Sequence, residues 1–510
     1  MKENKMSRRS FLKAGAFASA AGMLAAAPTA AHAAAPNVDK AAEEENGLLD
    51  IFGGKPKYVF LFIGDGMGTA QIQSARFYKG TVENNGAVTE GELSFTQFPE
   101  VGSVTTYDST SFCPDSASTA TSISTGHKTY SGSINVDETG TIEYETIAEQ
   151  LKAQKGWEIG VITSVNLNHA TPAAFYAHQA SRSSYYEIGL ELIESGFDYF
   201  AGGGLLKPTG SSGDQTDLYE LAQEAGYTVA KTHAEADAIG TNTEKAIIID
   251  EDLADSDAMA YELDRTDDMW ALADYVAKGI EVLDNDTGFF MMCEGGKIDW
   301  ACHANDAASS IHDTQALADA VQVAIDFAKE HADETLILVT GDHETGGLTI
   351  GFAGTDYDTY LDLLENQKIS FAKYDSDYVA SYKANKTPFE TVLADIEKLF
   401  GLKAQGEEGD KLVLTAYEME QLRAAYEKSI NGTASSQYDQ AEYVLYGTYE
   451  PLSVTITHII NNKSGISFTS YSHTGLPVAV LAEGAGSEMF NGYYDNTDIY
   501  NKLADLLNIA

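Results

Sequence analysis

Three apolar runs of this chain each lead into acidic residues or histidines. These are the run 58–63 with Asp65, the run 289–292 with Glu294, Asp299 and His303, and the run 336–340 with Asp342 and His343. Ligands of open α/β sheets bind beyond the carboxyl ends of the parallel strands, so we expect these side chains to meet at one sheet edge. Carboxylates and imidazoles are common ligands of divalent metal ions. The sequence therefore predicts one metal site assembled from distant parts of the chain.

The spacing within these groups favours shared ligation. Asp299 and His303 are four residues apart, which places both on one face of a helix. Asp342 and His343 are adjacent, and a bend after a strand can direct both at one ion. His473 comes shortly before the apolar run 477–482 and is a further candidate. Taken singly, each pair has an ordinary structural explanation, so only the whole set indicates a metal site.

A serine and an arginine could bind a phosphoryl group beside that site. Ser116 follows Asp115 and precedes small residues, which is typical of a helix start, where free N–H groups and the helix dipole favour an anion. Taken alone, Ser116 fits an ordinary helix cap. The planar guanidinium of Arg182 can hold two phosphate oxygens, although a pair on a helix surface is its ordinary alternative. Serine needs a base or a metal before it is a good nucleophile, so its role depends on the metal ligands.

The elements that must position these residues alternate between strands and helices. Strands are predicted at 58–63, 159–163, 198–201, 246–250, 288–292, 335–340 and 477–482, and helices at 142–154, 271–284 and 307–331. This alternation predicts an α/β fold, with a mostly parallel central sheet and helices on both faces.

The segment 352–452 interrupts the alternation and is predicted to be an insertion. It is rich in Tyr, Asp, Lys and Asn, and it contains helix-like stretches at 388–400 and 416–429. The core then comprises 57–351 and 453–510, with a strand at 453–460 that carries His458 and a final helix at 496–507. Other histidines have no ligand-like neighbours in the sequence: His127, His178, His233, His312 and His331.

The N-terminus and the charge indicate an exported protein. Residues 7–13 form a twin-arginine pattern before an apolar stretch and a small-residue cleavage site, so 1–33 is predicted to be a signal peptide and 34–56 a lead-in. We expect a periplasmic or extracellular protein without a membrane span. The net charge of -45 opposes electrostatic binding to nucleic acids or anionic lipid. Three cysteines allow at most one disulfide, which excludes a disulfide scaffold.

Together, these motifs resemble those of the alkaline phosphatases and follow the family's order. The matching segments are 64–68, 115–117, 125–129, 170–174, 181–182, 294–299, 341–343 and 473–475. The resemblance implies hydrolysis of a broad range of small phosphate monoesters. It implies Ser116 as the nucleophile, which becomes a phosphoserine, and Arg182 as the phosphate clamp. It also implies a homodimer.

The same resemblance implies two zinc ions and a third metal, usually magnesium. The expected ligands are Asp299, His303 and His473 for the first zinc, Asp65, Asp342 and His343 for the second, and Asp65, Thr171 and Glu294 for the third metal, with His169 nearby.

Two positions depart from the best-studied bacterial member of the family. His169 replaces an aspartate near the third metal, and Trp300 replaces a lysine that reaches phosphate through water. Animal members share the histidine, and some cold-adapted marine bacterial members share both changes. The identity of the third metal therefore stays open. Because Trp300 removes a cation close to the product, we expect faster release of phosphate.

Two other functions stay open at this point. One is a phosphodiesterase on the same scaffold, although such diesterases usually carry a threonine nucleophile and lack the equivalent of Arg182. The other is an exported metal-binding protein without turnover. The insertion 352–452 could contribute to a dimer interface, shape the entrance to the site, or serve only packing.

Overall fold

The structure, a computed structural model, describes residues 55–432 and 435–509. Within these residues a ten-stranded sheet has the strand order β14-β2-β13-β8-β1-β7-β3-β4-β6-β5. Its strands are β1 (Tyr58–Gly64), β2 (Glu100–Thr105), β3 (Glu158–Asn166), β4 (Tyr199–Gly203), β5 (Thr228–Ala230), β6 (Ala246–Ile249), β7 (Phe289–Gly295), β8 (Thr335–Gly341), β13 (Val478–Gly484) and β14 (Gly492–Asp495). The short strands β9 (Glu344–Thr345), β10 (Thr349–Ile350), β11 (Ile466–Ser467) and β12 (His473–Thr474) pair outside it.

The centre of the sheet is parallel and its strands are buried on both faces. On β1, Val59 and Leu61 pack into a hydrophobic cluster on one face, whereas Phe60 and Phe62 pack into a cluster on the other. A strand buried on both faces reads as a continuous apolar run, which is why this element is visible in the sequence. β13 runs antiparallel to both β8 and β2. The predicted mostly parallel α/β fold is confirmed.

The register of the central strands brings the polar residues together. Gly64 at the end of β1 pairs with Gly295 on β7 and with Gly341 on β8. All three strands therefore end at the same level. Asp65 and Asp342 follow directly, so one edge of the sheet presents both carboxylates.

Helices flank the sheet and fill the connections. They span Thr69–Glu83, Ser116–Thr125, Ile147–Lys155, Ala170–Ala173, Tyr185–Ser195, Leu218–Glu224, His233–Asp237, Leu272–Leu283, Lys297–His303, Ala307–Glu330, Phe371–Tyr374, Ala380–Asn385, Phe389–Phe400, Ala416–Asn431, Gln440–Tyr446, Pro451–Ser464 and Thr497–Leu507. The predicted helices at 271–284, 307–331, 388–400, 416–429 and 496–507 are confirmed to within two residues. The helix predicted at 142–154 begins later, at Ile147.

The prediction of a strand at 453–460 is wrong, because these residues belong to the helix Pro451–Ser464. Thr, Val and Ile residues there mimic a strand, but Pro451 occupies the first turn, where a missing N–H costs nothing. His458 therefore lies on a helix, where its Nε2 is 3.0 Å from Oδ1 of Asn305. It is neither a strand residue nor a metal-site residue.

Several expectations concern residues at the ends of the chain. The predicted signal 1–33 and all but the last two residues of the lead-in 34–56 lie outside the described residues. Among the residues that the structure describes, no helix is long and apolar enough to cross a membrane. The cysteines that it describes, Cys113, Cys293 and Cys302, are free thiols. The predicted boundaries of the insertion at 352 and 452 stay a prediction.

Candidate metal and phosphate site

Ser116 begins a buried helix at the sheet edge. Asp115 caps this helix by accepting a hydrogen bond from the backbone N–H of Ser118, at 3.1 Å. Every residue of Ser116–Thr125 is buried, and its Ser, Ala and Thr side chains are small enough to allow this. The Ser116 Oγ lies 3.2 Å from Nε2 of His343. The serine therefore sits at a helix N-terminus, which favours an anion, and touches a predicted metal ligand.

The first predicted ligand group is brought together from two parts of the chain. Asp299 and His303 lie on the helix Lys297–His303, and His473 lies on β12. The two Nε2 atoms are 3.0 Å apart, and they lie 3.3 Å (His303) and 3.6 Å (His473) from the Asp299 carboxylate oxygens. One ion could contact all three side chains, as tetrahedral zinc sites with an open position do.

Backbone carbonyls orient the two histidines of this group. The Nδ1 of His303 donates to the carbonyl of Tyr471 at 2.6 Å, and the Nδ1 of His473 donates to the carbonyl of Pro114 at 2.5 Å. Because a carbonyl oxygen only accepts hydrogen bonds, each Nδ1 carries the proton. In the neutral form of each ring, Nε2 is then the nitrogen that has a lone pair for a metal.

The second predicted group consists of Asp65, Asp342 and His343, which are fully buried. The Nε2 of His343 lies 3.4 Å from Oδ1 of Asp65 and 3.3 Å from Oδ2 of Asp342. The hydroxyl of Thr345 donates to Asp299 at 2.5 Å and so accepts from Nδ1 of His343, which is 3.2 Å away. The Nε2 of this third imidazole is therefore also unprotonated and directed into the cluster.

The third predicted group contains buried oxygens without hydrogen-bond partners. The oxygens without a partner are both carboxylate oxygens of Asp65, the Thr171 hydroxyl and Oε1 of Glu294. The Nδ1 of His169 also has no partner. Thr163 donates to the other oxygen of Glu294. Buried polar atoms normally have a partner, so these oxygens fit a cation that prefers oxygen ligands, such as magnesium.

The carboxylates of the cluster repel one another. Burial raises the pKa of Asp342 to about 7 and that of Glu294 to about 7, and the charge of Asp299 adds to both shifts. Burial and the charge of Asp342 also raise the pKa of Asp65 well above its usual value. Divalent cations would compensate these charges. The donor types, the converging Nε2 atoms and the unpartnered oxygens all fit metal ions.

Arg182 reaches the same site from the neighbouring loop. Its Nη1 donates to Asp115 at 2.8 Å, and its Nη2 lies 3.3 Å from Nε2 of His169. Burial and the charge of Arg182 lower the pKa of His169 to about 3, so this histidine is neutral. Its Nε2 accepts from the arginine, and its proton is on Nδ1. The Nδ1 of His169 is therefore a buried hydrogen-bond donor without a partner, and it offers no lone pair to a metal.

A pocket of about 570 Å³ opens over these residues. Its lining includes Ser116, Arg182, His169, Trp300 and the first ligand group, Asp299, His303 and His473. The predicted residues Asp65, Thr171, Glu294, Asp342 and His343 are buried and do not line it. All the predicted site residues thus lie in or beside one site.

The sequence did not identify the outer wall of the pocket. Tyr261, Phe371, Tyr449 and Asp255 also line it, and they come from segments without a recognisable motif. One statement about histidines was also wrong. His233 does have acidic neighbours, because Asp250 and Asp252 offer oxygens within 4.8 Å of its ring nitrogen. The two aspartates are remote from it in sequence, which is why the spacing did not reveal them.

The fold and the site define a class of protein. A parallel α/β sheet presents clustered carboxylates and imidazoles beside a serine at a helix start, with an arginine in reach, and this arrangement is suited to phosphoryl transfer.

Comparison with known proteins agrees with this class. A family model described as alkaline phosphatase matches residues 56–509. "Alkaline phosphatase 4" of Bacillus subtilis is 31% identical over 460 residues, which cover 88% of each chain, and "Alkaline phosphatase 3" of the same organism is 32% identical over 456 residues, 87% of each chain. A cold-active alkaline phosphatase from a Shewanella species has a TM-score of 0.72 at 28% identity, with 88% of this chain and 99% of that chain covered. The chain belongs to the alkaline phosphatase family and is a phosphomonoester hydrolase.

Proposed function

We propose that this chain hydrolyses phosphate monoesters through a phosphoserine intermediate on Ser116. The contact that carries this proposal is the 3.2 Å approach of Ser116 Oγ to Nε2 of His343, at a helix N-terminus that opens into the same pocket as Arg182. Helix-start amides and an arginine can hold the non-bridging oxygens of a phosphoryl group.

The residues divide the chemistry between them. Ser116 Oγ would bond to phosphorus while the bond from phosphorus to the alcohol oxygen of the substrate breaks. Arg182 keeps N–H groups for the phosphoryl oxygens, because a guanidinium has five and only two are engaged by Asp115 and His169. Water then cleaves the phosphoserine and releases inorganic phosphate. Two displacements at phosphorus give overall retention of configuration.

We assign the metals to the residue groups that fit them. Asp299, His303 and His473 would hold one zinc ion, and Asp65, Asp342 and His343 a second. When bound, such ions stabilise charge on the entering and leaving oxygens of an in-line displacement.

Asp65, Thr171 and Glu294 would hold magnesium, with His169 nearby. An alkaline phosphatase from the Antarctic bacterium TAB5, 27% identical to this chain, has been solved as variants in which one histidine is replaced by aspartate or glutamate, with Mg bound in its M3 site. We expect His169, a neutral hydrogen-bond donor, to support magnesium binding at the third group less well than a carboxylate would.

The test is turnover of p-nitrophenyl phosphate beside bis(p-nitrophenyl) phosphate, with zinc and magnesium present. We expect the monoester to react faster by orders of magnitude, and a chelator to abolish both activities. A dominant diester rate would support the phosphodiesterase alternative. Activity on neither substrate, with metal bound, would support a metal-binding protein without turnover.

The intermediate is tested on Ser116 itself. Acid quenching in the presence of phosphate and mass spectrometry should detect a phosphorylated peptide containing Ser116. Ser116→Ala should lose the modification and the activity, while metal analysis shows unchanged zinc. Ser122→Ala is the matched control, because among the described residues the hydroxyl of Ser122 bonds only to the carbonyl of Ser118 in the same helix. Phosphorylation at another residue would contradict the assignment.

Export and assembly belong to the same proposal. The twin-arginine pattern at residues 7–13 supports export to the periplasm or the medium, and N-terminal sequencing of the exported protein tests whether 1–33 is removed. A homodimer is expected from the family, and sedimentation at several concentrations tests it.

A further inference from the structure

We infer that Trp300, Phe371 and Tyr449 form an aromatic subsite that binds a flat aromatic leaving group of the phosphate monoester. The inference rests on the proposed function, and it names the substrate class that this pocket selects. None of these three residues belongs to the ligand groups, yet all three line the same pocket as Ser116. In the substrate complex, the alcohol part of a monoester whose phosphoryl group lies beside Ser116 must extend into this outer part.

One wall of the subsite is a series of edge-to-face rings. Tyr261 and Phe371 have ring centroids 5.7 Å apart with planes at 66°, and Phe371 and Tyr449 have centroids 5.8 Å apart at 82°. Tyr449 also lies beside Tyr471, with centroids 6.2 Å apart. The carbonyl of Tyr471 accepts a hydrogen bond from Nδ1 of His303, so the wall is joined to the first ligand group.

Trp300 forms another part of the lining and is held from two sides. Its ring meets that of His169 at 75°, with centroids 5.9 Å apart. The ammonium of the fully buried Lys297 lies 4.7 Å from its centroid and 4.1 Å from that of Tyr261. A ring that is fixed before binding loses little conformational entropy when a ligand packs on it.

The charges around the subsite favour a neutral group. Among the outer lining residues that the structure describes, Asp255 is the one charged side chain, and Lys297 pairs with it at 2.6 Å. Burial raises the pKa of Tyr449, so its hydroxyl stays neutral in alkaline solution. The net charge of -45 further opposes a second anionic group on the substrate.

Phe371 and Tyr449 lie within the predicted insertion 352–452, whereas Trp300 lies in the core. The insertion therefore contributes to the pocket wall. Since aromatic rings favour edge-to-face and offset contacts with one another, this wall distinguishes an aromatic leaving group from a saturated one of equal size.

The experiment compares benzyl phosphate with cyclohexylmethyl phosphate on the metal-loaded enzyme. Both leaving groups are primary alcohols of similar size. Benzyl alcohol is the stronger acid, but this difference is the same for every variant, so the change of the ratio between variants isolates the aromatic contact. We expect kcat/KM for the benzyl ester to be about fivefold higher. Tyr449→Leu and Phe371→Leu should each reduce this ratio toward one, and Tyr449→Phe should keep it. Tyr357→Leu is the control, because Tyr357 lies in the same segment and is 98% exposed.

Binding without turnover separates this inference from the proposed function. Calorimetry with benzylphosphonate and cyclohexylmethylphosphonate on the metal-loaded Ser116→Ala variant should show the same fivefold preference. If the phosphonate preference is found but the unaltered metal-loaded enzyme hydrolyses neither ester, the subsite is supported and the proposed function is contradicted. Hydrolysis of both esters at equal kcat/KM, or a Tyr449→Leu variant with an unchanged ratio, would overturn the subsite.

Discussion

Lys297→Met should destabilise the protein by about 3 kcal/mol. Lys297 is fully buried, and its ammonium lies 2.6 Å from Asp255, whose side chain is 33% exposed. Removing one partner of a buried ion pair typically costs about 3–5 kcal/mol, because the other charge is left uncompensated. Water can reach part of Asp255, which places this pair at the lower end of that range. Methionine keeps most of the packing of the lysine stem.

Lys329→Met is the matched control. Lys329 pairs with Asp326 at 2.6 Å on one helix, and their side chains are 67% and 60% exposed. Exposed helix pairs contribute less than about 1 kcal/mol, so this variant should change stability little. The contrast isolates burial, because both substitutions remove the same group from a lysine–carboxylate pair.

Urea unfolding followed by circular dichroism measures both variants with metals present. A double-mutant cycle with Asp255→Asn should give a coupling energy of about 2 kcal/mol between the two residues. The neighbours Ser256 and Asp257 have φ of +56° and +58°, a conformation that non-glycine residues rarely adopt, so the pair also fixes a strained segment. Equal costs for the two lysine variants, or a coupling energy near zero, would refute this reasoning.

Three further predictions concern charge. Burial and the charge of Glu450 raise the pKa of Asp375 to about 8, so the folded state loses stability as the pH rises from about 4 through 8. Asp375→Asn should therefore stabilise the protein by about 3 kcal/mol more at pH 9 than at pH 5 in urea unfolding, and a pH-independent effect would contradict the assignment. Trp300→Lys should lower the inhibition constant for inorganic phosphate about tenfold, because it adds a cation in the pocket; an unchanged constant counts against a role for Trp300 in product release. His169→Asp should increase magnesium affinity at least about tenfold in calorimetric titrations, since it replaces a neutral donor with a carboxylate, and unaltered affinity would remove His169 from the third group.

The central strands and the ligand groups could be predicted from sequence for one physical reason. A parallel strand covered on both faces must be apolar throughout, so β1, β7 and β8 can be recognised in the sequence as continuous apolar runs. The polar residues that follow each run can be recognised by contrast with it. The edge strands β2 and β14 lack this property. Val101 and Tyr493 are more than half exposed, and such short, half-exposed strands leave no continuous apolar run.

Two features of the molecule could not be predicted, because they depend on tertiary packing. Phe371 and Tyr449 are ordinary aromatic residues in a segment without a motif, and only the folded chain places them over Ser116. The strand predicted at 453–460 failed for a related reason. β-Branched residues favour strands only weakly, and burial of the helix Pro451–Ser464 on nearly all sides outweighs that preference.

The carbonyl groups that orient His303 and His473 have a consequence for how this site tolerates mutation. Pro114 and Tyr471 contribute main-chain oxygens, which every amino acid carries and which do not titrate. Replacing either side chain leaves the acceptor in place, provided that the backbone keeps its path. His343 differs, because its Nδ1 depends on the hydroxyl of Thr345. The hydrogen-bond acceptors of His303 and His473 should therefore tolerate substitution, and the residue types that provide them do not reveal this role. The acceptor of His343, in contrast, depends on the side chain of Thr345.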